Sequence, residues 1–163
     1  MLDTVLNINI ESLRIFLYSM FPVTELRLSI PYFILIEQLS WKKVFIFSVS
    51  GNIFIGIVVR YIISPLMFFL RKNAYFSKPI EYIINRTYSS SDKINKYKSI
   101  GLILFIGIPL PFTGVWTGSL AAYLLSISRN RSIAGIILGV LISGVIVTLL
   151  SLTGVTIKGI LLS

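Results

Sequence analysis

Gly107-Ile108-Pro109-Leu110-Pro111-Phe112-Thr113-Gly114-Val115-Trp116-Thr117-Gly118 interrupts an apolar tract that runs from about Ser99 to Ser128. Pro109 and Pro111 each lack a backbone donor and push the preceding residue toward extended geometry, so a single straight helix is not expected there. In hydrocarbon, the freed peptide groups must meet protein, water or substrate. The stretch is therefore expected to turn a helical hairpin and to be a candidate site. Thr113 and Thr117 offer hydroxyls, Gly114 and Gly118 offer open backbone amides, and Trp116 offers an aromatic wall. Donors at the start of a half-helix favour anions. The same residues have a plainer reading, with Trp116 as an interfacial anchor and Gly114 and Gly118 as a close-packing GxxxG pair.

The composition around this stretch is that of a polytopic membrane protein. The 163 residues are 55% hydrophobic and 13% charged, with a mean hydropathy of +0.89, well outside the balance of a soluble domain. At about 20 residues per span, that length suits a single membrane domain over residues 1–163. Cysteine and histidine are both absent. Thiolate chemistry, disulfides, the commonest metal ligand and the usual neutral-pH base go with them. No catalytic residue, metal or cofactor is expected, and the chain does not read as an enzyme. The net charge of +9 is assigned to membrane orientation and anionic lipid headgroups rather than to nucleic acid, for which no motif is present. Residues 1–12 include Asp3 and Glu11 and lack a basic n-region, so no cleaved signal is expected.

Along the chain the same pattern is expected twice. Repeat 1, residues 10–70, opens with a hairpin over 10–40, whose short arms flank a polar turn bracketed by Pro22 and Pro31. Lys42 and Lys43 mark its exit, and a span over 44–65 follows, with Pro65 ending or bending it and Arg60 snorkelling near its far end. Residues 71–98 form a basic loop with a short interfacial helix near Ile80, Ile83 and Ile84 and a break at Ser89 to Ser91. Repeat 2, residues 99–158, consists of a hairpin over 99–128 and a span over 132–157. Leu39 to Lys43 parallels Ile127 to Arg131, and Gly51 parallels Gly139. A hairpin that returns to its own side, followed by one crossing, inverts the second copy relative to the first. The expected fold is all-α, with two inverted repeats, each a re-entrant hairpin followed by a transmembrane helix. Basic residues crowd the 71–98 loop and the 129–131 turn, which puts that side in the cytoplasm and both termini outside.

Glu25 and Arg27 are the leading individual candidates, because ionisable groups in an apolar hairpin are costly. Arg27 could hold a phosphate or carboxylate through its planar fork, and a desolvated Glu25 could exchange a proton or meet a cation. A purely structural ion pair remains the alternative. Asn52 is a further candidate, with an interhelical hydrogen bond favoured over ligand contact. Glu37 is expected to be solvated.

Glu25-Leu26-Arg27 with Ile30-Pro31, Gly51-Asn52, and Pro109-Leu110-Pro111 with Thr113-Gly114 and Trp116-Thr117-Gly118 together resemble the bacterial small multidrug export protein family. The resemblance covers about residues 20 to 145. That family is similar in layout to the DedA superfamily, whose resemblance implies two opposed re-entrant hairpins and includes lipid-phosphate flippases and scramblases. Leu28 and Phe112 stand where the export family often has small residues, and Leu110 to Ser128 lacks the basic residues typical of DedA second hairpins.

Three functions follow as expectations. The first is a small transporter or exporter of the bacterial cytoplasmic membrane, proton-coupled through Glu25, with its site between the hairpin tips. The second is a DedA-like lipid-phosphate flippase or scramblase, and the third a noncatalytic membrane assembly or interaction protein. The substrate stays open between a small molecule and a lipid phosphate, and a homo-oligomer is compatible with each.

Overall fold

The computed structural model of the chain describes residues 2–71, 92–110 and 113–161. Pro111, the interfacial helix expected near Ile80, the Ser89 to Ser91 break and most of the basic loop lie outside the described residues. Those described are helical and contain no strand: α1 (Leu2–Met20), α2 (Glu25–Pro31) running into a π-helical turn (Tyr32–Ile36), α3 (Trp41–Arg71), α4 (Asp92–Gly107), α5 (Val115–Leu124) and α6 (Arg129–Leu161). Trp41–Phe69 and Arg129–Gly154 are long and apolar enough to cross a membrane.

Three boundaries differ from the sequence reading. α1 starts at Leu2 rather than near Ile10, because residues 2–9 contain neither glycine nor proline and extending an already packed helix costs little. Pro31 sits inside the helical arm instead of closing a turn. It cannot donate to the carbonyl four residues back, and the chain widens directly after it into the π turn, where Glu37 N–H donates to Tyr32 O at 3.2 Å. α3 runs through Pro65 to Arg71 rather than ending there. The carbonyl that loses its helical donor belongs to Tyr61, whose side chain is exposed.

The chain divides into two compact units whose limits fall inside α3 and α6. One takes residues 1–54 and 140–163: the first hairpin, the start of α3 and the later part of α6. Its core holds Ile15, Ile30, Phe33 and Val44. Tyr18 stacks on Tyr32 at 5.5 Å between centroids, and Phe33 meets Tyr18 edge-on at 5.6 Å. α1 and α3 approach closely at Gly51, where a Cβ would lie 2.3 Å from both Phe16 O and Ser19 Oγ. The next residue, Asn52, donates its side-chain N–H to Ser19 O at 2.9 Å. Two ion pairs close the open end of the hairpin, Lys43 with Glu11 at 2.6 Å and Arg14 with Glu37 at 2.7 Å. Glu37 is therefore a bridge to α1 as well as a partly solvated group.

The other unit takes residues 55–139. Leu102 and Ile106 of α4, Val115 and Ala122 of α5, and Ile136 of α6 are its buried centre, with Val59 and Ile63 from α3. Small residues let these helices meet: a Cβ on Gly139 would lie 2.7 Å from Ile106 Cβ and 3.1 Å from Ile103 O, and one on Gly56 2.8 Å from Ile136 Cγ2. Ser119 Oγ–H donates to Gly56 O at 3.1 Å, fixing α5 against α3. At Gly101 nothing lies within 4 Å of an added Cβ. Gly101→Ala should therefore leave thermal stability unchanged or raise it by up to about 1 kcal/mol, through helix propensity alone. A fall in the melting temperature of the purified protein would contradict that.

Candidate functional site

The turn of the first hairpin occupies residues 21–24 and is shorter than expected. Pro22 pre-sets φ for the turn, Thr24 Oγ1–H donates to Tyr18 O, and Glu25 N–H donates to Phe21 O at 2.9 Å. The chain then re-enters a helix at Glu25 with φ at 38°. For a residue with a Cβ this left-handed geometry costs about 1 kcal/mol or more, and it persists only where the surroundings enforce it. Gln38 and Ser126 also have positive φ, at the ends of the two outgoing arms. Of the three, Glu25 alone is buried, at 6% exposure. Arg27 follows on the same short helix, half-buried, and the two charges act on each other electrostatically. A buried carboxylate beside a guanidinium at a helical hairpin tip can hold a proton, a cation or, through the arginine, an anion.

Asn52, in the same unit, is 1% exposed, and Ser19 O takes up its side-chain N–H. The interhelical bond favoured from sequence is present. Replacing Asn52 with leucine leaves the Ser19 carbonyl without that donor and should destabilise the protein by about 1 kcal/mol. A melting temperature equal to the wild type's would show that the bond contributes nothing.

The remaining candidates lie in the other unit. Thr113 Oγ1–H donates to Ile108 O and Leu110 O, each at 3.0 Å, and Thr117 Oγ1–H donates to Gly114 O at 3.2 Å. Both hydroxyls thus brace the break and the first turn of α5. Gly114 caps α5 in extended conformation, with φ −87° and ψ −165°. Gly118 fits the close-packing reading, since a Cβ there would lie 2.6 Å from Ile106 side-chain atoms. Pro109 and Trp116 are half-buried at the two ends of the break.

Sequence reasoning missed Arg60. Instead of snorkelling to open solvent it is 5% exposed, and its Nη2–H donates to Ile127 O at 3.0 Å. An arginine in an apolar run was a visible signal, but its acceptor lies 67 residues away. A second omission is the buried hydroxyl pair Ser29 and Ser48, 3.0 Å apart.

Searches of curated proteins and of solved structures each return no match to this chain. A family model does match, over residues 25–146, from the buried glutamate through the second hairpin and well into α6. With an all-helical fold, two helices able to cross a bilayer and three-quarters of its length matched, the chain is a membrane protein that belongs to the family described as "Putative small multi-drug export protein".

Proposed function

We propose that the protein is a small transporter that exports organic solutes, and that Glu25 is its proton- or cation-exchanging group. The observation that carries this reading is a carboxylate buried at a hairpin tip on strained backbone. A fold that needed only a turn there could use glycine without strain and without desolvating a charge.

The membrane layout proposed with it is two inverted repeats with re-entrant hairpins. The outgoing arms, Glu25–Ile36 and Val115–Leu124, reach only about 18 and 15 Å at 1.5 Å per residue, against a hydrocarbon core of about 30 Å. Ser19, beside the first turn, meets Asn52, which is about 16 Å along α3 from Trp41. Ile106, beside the second, meets Gly139, about 15 Å along α6 from Arg129. Both tips are thus read as reaching mid-membrane. Repetition is supported by features that recur 88 positions apart. Gln38 and Ser126 share positive φ, Trp41 and Arg129 open the long helices, and Gly51 and Gly139 receive the first arm of their own hairpin. Each hairpin returns and each long helix crosses once, so the second copy is turned over in the bilayer.

The orientation read from Lys and Arg puts the 71–98 loop in the cytoplasm and the termini outside. Single cysteines at Ile10 and Trp41, both exposed, should react with an impermeant thiol reagent added from the same, external side. Labelling from opposite sides would sink the re-entrant hairpin. For function, the purified protein in liposomes with an imposed proton gradient should drive movement of a fluorescent lipophilic cation. A parallel assay follows the headgroup exposure of a labelled lipid phosphate. Activity in the second assay alone would replace the exporter reading with the flippase, and inactivity in both would leave an assembly protein.

A further inference from the structure

Among the described residues, Arg60 finds only neutral hydrogen-bond partners for its charge. Its Nη2–H donates to Ile127 O at 3.0 Å and its Nη1–H to Ser64 Oγ at 3.3 Å, while Nε is buried with no hydrogen-bond partner among the described residues. No carboxylate stands among the described side chains of residues 55–139. A formal charge that acts on it is of the same sign: Arg129, whose guanidinium lies 4.8 Å over the Tyr61 ring. A neutral donor also lies within reach of the Ile127 carbonyl, since Ser132 Oγ–H is shared between Ile127 O at 3.2 Å and Ser128 O at 3.0 Å. A guanidinium offers five N–H donors in a planar fork that matches an oxyanion. With a like charge beside it and no acid among the described side chains of its unit, its burial is unfavourable until an anion joins it.

Depth narrows the anion. Arg60 lies about 28 Å along α3 from Trp41 at 1.5 Å per residue, close to the about 30 Å of hydrocarbon that separates two headgroup layers. Tyr61 beside it and Arg129 at the start of α6 are residue types that favour the interface. The Arg129-Asn130-Arg131 turn adds positive potential at the start of α6.

We propose that Arg60, backed by Arg129, forms a binding site for a phosphate-type oxyanion at the exit of the second hairpin. Nε and the remaining guanidinium N–H groups are its donors, and Arg129 supplies attraction from the exposed end of α6. The site shares no residue with Glu25 and Arg27, and the oxyanion is either a phospholipid headgroup or a free phosphate.

The test uses the purified full chain and reads binding, not transport, so its outcome is separable from that of the exporter reading. In one arm, thermal stability is followed during titration with inorganic phosphate against chloride at matched ionic strength. In the other, mixed micelles carry phosphatidylglycerol or, as control, diacylglycerol without phosphate. Wild type should be stabilised saturably in at least one arm, and the arm that responds identifies the source. Arg60→Gln should abolish the response, and Arg129→Gln should weaken it several-fold. Arg60→Lys keeps the charge but loses the fork, and should bind about tenfold more weakly. Should Arg60→Gln not fold, the Lys variant and Arg129→Gln decide the matter. A flat wild-type response in both arms, or equal responses in wild type and these variants, overturns the site and leaves Arg60 as a structural clasp on Ile127.

Discussion

Gly51→Ala should lower the stability of the protein more than any other single-methyl addition to a described helix. A Cβ at this position would sit 2.3 Å from the Phe16 carbonyl oxygen and 2.3 Å from Ser19 Oγ. The serine could rotate, but the carbonyl belongs to the α1 backbone and cannot. Relief requires α1 and α3 to separate, which also stretches the Asn52 to Ser19 bond of 2.9 Å. Overpacking and the lost bond together should cost about 3 kcal/mol or more. Gly139→Ala makes a useful comparison, because its closest contact would be Ile106 Cβ at 2.7 Å, with the Ile103 oxygen farther off at 3.1 Å. Its penalty should be smaller. Melting temperatures in detergent, with Gly101→Ala as the neutral reference, would rank the three. An unperturbed Gly51→Ala protein would mean that α1 does not pack on α3 as described.

Glu25→Gly should separate stability from activity. Glycine occupies φ near 38° without strain, so this variant is expected to gain about 1 kcal/mol of stability while losing the coupling of transport to pH. Glu25→Ala removes the carboxylate and keeps the strained backbone, so it should lose the same pH coupling without that gain. Glu25→Gln keeps volume and hydrogen-bonding capacity, and its transport should become independent of pH, whereas Glu25→Asp should retain part of the dependence. If Glu25 and Arg27 only lock the fold, each single neutralisation strands the other charge and lowers membrane abundance. The double variant Glu25→Gln, Arg27→Gln should then recover both abundance and activity. Membrane abundance, thermal stability and transport measured on the same set distinguish these outcomes. Full activity in the double variant would end the case for a proton-carrying Glu25.

Much of the architecture was legible because hydropathy and helix punctuation are local properties. The apolar runs signalled two long helices, although α3 continues past its expected end at Pro65 to Arg71, and the lack of cysteine and histidine narrowed the chemistry. Proline was the least reliable marker. Pro31 and Pro65 break no helix here, because a π turn absorbs the defect at one and the affected carbonyl at the other belongs to an exposed residue. Glu25 and Arg27 stood out as costly charges in an apolar context, but that Glu25 is both buried and strained depends on how the turn over residues 21–24 joins the two arms of its hairpin.

Hydropathy, helix breakers and motif residues were enough to read an all-helical membrane chain, two breaks with polar or small residues beside them, two long helices apolar enough to cross a membrane and membership of an export family. Which charges are paired and which are enclosed follows instead from how distant segments pack. Glu37 finds Arg14 across 23 residues, Asn52 finds Ser19 across 33 and Arg60 finds the Ile127 carbonyl across 67. The physical reason is that hydrophobicity acts on each segment where it stands. The cost of a buried charge is set instead by the donors and acceptors that distant segments bring to it.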